Sequence, residues 1–140
     1  AFDETSPTGE QQRLAGNTFR LTPKHSASAG LGVQGDAGFG EWFLRPAYTW
    51  KSRVYFEEQW QQESFLHGEA PGLYQEPYGL LNLRAGLTAL DGATTIELWG
   101  TNLLDTRYVI DAGNTGLVFY APTYIAGPPL LFGLRVTARL

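Results

Sequence analysis

Two histidines and a scatter of carboxylates are the groups with which this 140-residue chain could hold a metal or move a proton. His67 and Glu69 could face one ion, but His25 is distant in sequence and no histidine pair has ligand spacing. A solvated loop histidine is the favoured reading of His67. Glu57 and Glu58 are consecutive, so in a strand they point to opposite faces and cannot form the facing carboxylate pair of a glycosidase. No glycine-rich phosphate loop precedes a helix, and there is no nucleophile elbow. The chain has no cysteine, which removes thiolate catalysis, disulfides and cysteine-containing zinc motifs together. Nothing argues for catalysis, and no cofactor is expected. Recognition chemistry is better supplied: residues 59–78 hold Trp60, Phe65, His67 and Tyr74, and residues 105–129 hold Asp111, Asn114, Tyr120 and Tyr124. Such mixtures of aromatic and hydrogen-bonding groups are common on binding loops, and more common still as ordinary loop chemistry. These eight are the candidate ligand contacts.

The elements that position them are constrained by composition. The residues are 43% hydrophobic and 17% charged, with 17 glycines, which is room for one modest domain. Ten basic against fourteen acidic residues leave a net charge of −4, without the basic footprint that nucleic-acid binding leaves. Nucleic acid is not an expected partner. No run approaches the roughly 18 consecutive apolar residues of a membrane helix, but membrane β-strands carry only an alternating signal and are compatible with this pattern. The first residue is Ala1, with no basic-then-apolar leader after it, which is expected of a processed chain or a piece of a longer one.

Glycine and proline interrupt every long window, and apolar residues recur with period two, so the chain reads as all-β. Over residues 41–57, Trp42, Leu44, Tyr48, Trp50, Val54 and Phe56 share one face, opposite Glu41, Arg45, Thr49, Lys51, Arg53 and Glu57. Phe43 and Tyr55 break the alternation, and Pro46 cannot donate to a ladder. Residues 130–140 alternate more cleanly, with Leu130, Phe132, Leu134, Val136, Ala138 and Leu140 on a wholly apolar face. Residues 79–90, 25–33 and 94–102 supply three more strands, although Trp99 falls on the polar side of the last. Gly35–Gly38 and Asp91–Gly92 are short turns, whereas residues 59–78 and 105–129 are long connections. Strands of about ten residues suit a tilted bilayer crossing. Periodicity alone leaves two architectures open, a membrane barrel and a soluble β-sandwich with its apolar face inward. The sandwich would be a binding module, with carbohydrate recognition through Trp42, Trp50 or Trp60.

Specific phrases narrow this choice. Leu44-Arg45-Pro46-Ala47-Tyr48-Thr49-Trp50 looks like an ascending strand, and Tyr78-Gly79-Leu80-Leu81-Asn82-Leu83-Arg84-Ala85-Gly86 like the descending strand after it. Leu98-Trp99-Gly100-Thr101-Asn102-Leu103-Leu104-Asp105-Thr106-Arg107-Tyr108 is followed by a long loop and the alternating segment from Pro128 to Leu140. Together these resemble the C-terminal end of the β-barrel of a TonB-dependent outer-membrane receptor, with Leu98–Tyr108 similar to the family's penultimate-strand motif. The family commonly ends in phenylalanine, and Leu140 stands in that place.

The resemblance implies an all-β, antiparallel transmembrane β-barrel segment of about five long strands, an incomplete barrel on its own. Residues 1–140 would be the C-terminal part of the receptor barrel, without a plug domain. The implied role is a share in uptake of a scarce nutrient, such as a ferric siderophore, cobalamin or carbohydrate, at the bacterial outer membrane. The implied partners are outer-membrane lipid, the remaining barrel strands and plug of a longer chain, TonB indirectly through that plug, and the nutrient. Apolar faces would meet lipid, with Trp42, Tyr48, Trp50 and Phe56 including interfacial girdle residues. Arg84 and Glu97, on adjacent strands, would form a cross-strand pair.

Overall fold

A computed structural model describes residues 3–5, 11–13, 18–56, 74–89, 92–113 and 123–139. All regular elements among them are strands. The chain divides into two compact units, one from residues 26–50, 78–107 and 128–140, the other from residues 1–25, 51–77 and 108–127.

The first unit is a six-stranded sheet. In chain order the strands are β1 and β2 (Asp3–Thr5 and Gln11–Arg13, of the other unit), β3 (Ser26–Gly30), β4 (Val33–Asp36), β5 (Gly40–Lys51), β6 and β7 (Val54–Tyr55 and Tyr74–Gln75, also of the other unit), β8 (Tyr78–Ala89), β9 (Thr94–Thr101), β10 and β11 (Val109–Gly113 and Thr123–Ala126, of the other unit) and β12 (Leu131–Ala138). The sheet order is β12-β9-β8-β5-β3, with β4 also on β5. The pairings β12/β9, β9/β8 and β4/β5 are antiparallel. The five stretches expected from period-two alternation are thus the five long strands of this sheet, counting β3 and β4 as one interrupted strand. At that interruption Leu31 N–H still donates to Pro46 C=O over 3.1 Å. In an extended strand one residue's N–H and C=O point to the same neighbour, so the donor that Pro46 lacks falls where β3 and β4 are already broken.

Turn chemistry explains the tight ends. Asp36 Oδ1 accepts Gly38 N–H at 2.6 Å, and Gly38 takes φ +80°, a conformation open to glycine without strain. Gly92, at φ +66°, donates its N–H to Ala89 C=O after β8. The other ends of β5 and β9 open into the long connections 52–77 and 102–130.

Register aligns the faces. Phe132/Gly100/Leu83, Leu134/Leu98/Ala85 and Val136/Ile96/Leu87 form consecutive cross-strand rows on β12, β9 and β8. The alternate rows are Gly133/Trp99/Arg84, Arg135/Glu97/Gly86 and Thr137/Thr95/Thr88. One face is therefore a continuous apolar wall and the other is polar. The apolar wall is exposed, with Phe132 at 79%, Leu134 at 61% and Val136 at 60%, and no second sheet of this unit covers it among the described residues. Among the described residues of this unit, the buried ones apart from Gly40 and Gly100 are Glu97 and Asn102.

The second unit is built from the two-stranded pairs β1/β2, β6/β7 and β10/β11. Its core is Val54, Phe56 and Ala112, with Val109 packed against them. Strand β5 stops at Lys51, and Ser52 closes the stop: its N–H donates to His25 C=O, while its Oγ accepts His25 N–H. The run expected over 41–57 is therefore two elements. Phe56, read from periodicity as a member of the apolar face, is instead 1% exposed in this core.

Candidate functional site

Asn102 terminates β9 and organises the chain beyond it. It adopts φ +51°, a left-handed conformation that asparagine tolerates better than most side chains. Its Nδ2 donates to Thr106 C=O at 2.9 Å and to Pro128 C=O at 3.1 Å, and its Oδ1 accepts Thr106 N–H at 2.9 Å. Its own N–H donates to Asn82 Oδ1 on β8 at 3.0 Å. Thr106 Oγ1 donates to Gly79 C=O, and Leu103 N–H to Leu81 C=O, so the start of the long connection is stitched to β8. The run into β12 is held too, through Leu130 N–H on Asp105 Oδ1. A 3% exposed asparagine with both Nδ2 hydrogens and Oδ1 engaged carries no unsatisfied polar atom into its burial.

On the polar face, Glu97 sits between two arginines. Arg84 Nη2 lies 2.7 and 3.0 Å from its two oxygens and Nε 3.3 Å from one of them, while Arg135 Nη1 lies 3.5 Å from Oε1. The cross-strand pair expected of Arg84 and Glu97 is present, and Arg135 extends it to β12. Two aromatic rings frame this group. Trp99 lies over Gly133 and Phe43 over Gly86, in each case filling the space where a side chain would project. Both rings depart from the simple alternation, and paired glycines are what admit them. Arg45 stacks on Phe43 at 4.8 Å, and a cleft of about 420 Å³ opens beside them among Gln34, Asp36, Glu41 and Thr88.

In the second unit, Tyr55 and Tyr74 are opposite residues of β6 and β7, with ring centroids 5.9 Å apart. The Arg53 guanidinium lies 4.6 Å from the Tyr74 ring centroid and 2.8 Å from Glu76. Hydrogen bonding to Tyr55, then to Glu76, raises the pKa of Arg53 above its ordinary value. Gln75 Oε1 accepts Val109 N–H at 2.6 Å, tying β7 to β10.

Of the eight candidate ligand contacts, Tyr74 is thus joined to Arg53, Tyr55 and Glu76, three neighbours that loop composition did not single out. Asp111 stands opposite Ile125, and Tyr124 opposite Ala112, so these two occupy successive rows and point to opposite faces of the β10/β11 pair. They do not converge. Trp60, Phe65, His67, Asn114 and Tyr120 lie outside the described residues. Among the described residues no group of three histidine or acidic side chains is arranged to hold a metal ion.

No protein-family model matches this chain, and no curated protein matches it. Among solved structures, it is similar to the ferric yersiniabactin uptake receptor FyuA of Yersinia pestis, with a TM-score of 0.74 and 19% sequence identity. The similarity covers 92% of this chain and 18% of that one, so the chain spans less than a fifth of the receptor it resembles. Likeness at this level of identity is a likeness of fold, and the fold is an all-β, antiparallel segment of the TonB-dependent receptor barrel type.

Proposed function

We propose that this chain is the C-terminal part of the β-barrel of a TonB-dependent outer-membrane receptor. In this reading its sheet is barrel wall, its polar face lines the lumen, and its long connections supply outer loops. The observation that carries the reading is the inversion in the six-stranded sheet, where Glu97 and Asn102 are buried while Phe132, Leu134, Val136 and Leu98 are exposed. A water-soluble sheet would need a second layer over that wall, whereas hydrocarbon covers it directly. Strands β5 and β8, of 12 residues each, exceed the 9–11 that a tilted strand needs to cross a bilayer. The fold likeness to an uptake receptor supports the same role.

Five long strands do not close a barrel, and an open edge in lipid leaves backbone groups unpaired at several kcal/mol each. The remaining strands and the plug therefore come from the same longer polypeptide, and TonB acts through that plug. The transported molecule is a scarce nutrient, with ferric siderophore, cobalamin and carbohydrate as the candidate classes; ferric yersiniabactin uptake by the similar receptor favours the first. Tyr74 with its Arg53 and Tyr55 neighbours is the first candidate patch of the ligand-facing loops; Asp111 and Tyr124, on opposite faces of the β10/β11 pair, and Trp60, Phe65, His67, Asn114 and Tyr120 are the further candidates. The chain itself performs no bond chemistry.

The test is the native polypeptide in fractionated cells, detected by an antibody against residues 61–75 in heated and unheated samples. A band several times 15.4 kDa in the outer membrane, shifting on heating, is expected. A native band near 15.4 kDa in the soluble fraction would overturn the proposal.

A further inference from the structure

The Arg84–Glu97–Arg135 group is incomplete as an ion cluster. One carboxylate serves two guanidiniums, and Glu97 is 9% exposed at its side chain, against 52% for Arg84 and 62% for Arg135. Arg84 spends Nε and Nη2 on Glu97, while Arg135 contributes a single 3.5 Å contact to an oxygen that Arg84 already holds. A guanidinium has five N–H donors in a planar fork. Most of those on Arg135, and the Nη1 hydrogens of Arg84, have no partner among the described residues. The two forks converge on one Glu97 oxygen, so a second carboxylate, accepting from one arginine with each oxygen, would complete an alternating ring of four charges.

We propose that this polar face carries a binding site for a second carboxylate, held by Arg84 and Arg135, with Trp99 as a wall for the flat apolar body of a free ligand. The wall for the flat body is already in place. Trp99 stands directly opposite Arg84, and its ring reaches across β12 to lie over Gly133, two residues from Arg135 on the same face. Side chains on β8, β9 and β12 thus present two cationic forks and one ring within two adjacent rows. On the opposite flank, the Phe43 ring over Gly86 closes off Glu97, which stands directly opposite Gly86. The second carboxylate therefore approaches from the arginine side. Its source is either a free molecule or an acidic side chain of the same polypeptide, and the experiment separates them.

The probe is 4-fluorobenzoate, followed by fluorine NMR on the full-length polypeptide folded in detergent. A free-ligand site gives saturable binding that weakens tenfold or more in Arg135→Gln and several-fold in Trp99→Leu. Glu97→Gln tightens it several-fold, because both forks lose their competing carboxylate; a merely structural cluster would give the opposite sign. If an acidic side chain already occupies the site, the parent binds no benzoate, yet Arg135→Gln still lowers the unfolding midpoint by a few degrees in the Glu97→Gln background, where the internal partner is gone. Benzoate binding unchanged by both Arg84→Gln and Arg135→Gln overturns the proposal. So does the absence of benzoate binding in the parent and in Glu97→Gln, together with no effect of Arg135→Gln in that background.

Discussion

The two units bury opposite kinds of residue. In the unit built from residues 1–25, 51–77 and 108–127, Val54, Phe56 and Ala112 are inside. In the six-stranded unit Glu97 and Asn102 are inside, and leucines, isoleucine, valine and phenylalanine are outside. The first arrangement is the one that water on every side favours, because burying apolar surface is then the main driving force. The second is stable in water only with a cover over the apolar wall, and it needs no cover in lipid. Burial pattern, more than strand content, separates a soluble sheet from a membrane one.

The largest effect that would sharpen this contrast is expected at Phe56. Truncating a buried phenylalanine to alanine typically costs about 3–5 kcal/mol. With Val54, Ala112 and Val109 beside it among the described residues, Phe56→Ala should open its own unit, seen as faster hydrogen exchange at β6, β7 and β10 with β8 and β9 unchanged. Loss of protection in β8 and β9 as well would dissolve the distinction between the units.

Leu98→Arg probes the other unit. At the middle of a lipid-facing wall an arginine costs about 2–4 kcal/mol. On a water-facing sheet the same change stays within about 0.5 kcal/mol. Urea titration of folding into lipid vesicles reads the difference, and an effect at the low figure would break the comparison.

Asn102→Ala comes next, at about 1–3 kcal/mol, because the Thr106 and Pro128 groups that face it lose their partners. Asn102→Gly keeps the backbone conformation but not the hydrogen bonds, so it should recover only the part due to φ +51°. The same titration measures both, and equal stability of the glycine variant and the parent would show that the side-chain bonds contribute nothing.

The smallest effect is expected at Arg53→Gln. Its pair with Glu76 is about half exposed at both side chains, and such pairs are worth about 0.2–1 kcal/mol. Its stacking on Tyr74 makes the change visible as altered tyrosine side-chain NMR shifts even where stability barely moves. Unaltered shifts would remove Tyr74 from this cluster.

Much of this was readable from residue order. Period-two alternation located all five long strands and the identity of each face, because a strand's pattern is local. The Arg84–Glu97 pair followed once the strands were adjacent. What escaped were contacts whose partners lie far along the chain. Phe43 and Trp99 looked like breaks in the pattern, and their reason is Gly86 and Gly133 on neighbouring strands. Asn102 is fixed by Asn82 and Pro128, 20 and 26 residues away, which no local period reveals. Val54 and Phe56 continue the alternation of β5 in sequence, but the Ser52–His25 hydrogen bonds end that strand first. The candidate contacts were chosen by composition, which says what a loop carries and not which way it turns. Asp111 and Tyr124 show the consequence, since one register places them on opposite faces.

In the proposed barrel, successive residues of β12 and β9 alternate between lipid and water. These 140 residues hold no cysteine, so single cysteines at Leu134, Val136, Thr137 and Thr95, in a full-length protein freed of any cysteine elsewhere, are the labelling sites for a bimane fluorophore. In the full-length protein folded into vesicles, positions 134 and 136 should be quenched by brominated acyl chains and not by iodide, with positions 95 and 137 showing the reverse. Equal quenching of all four by iodide would place both faces in water and contradict the account.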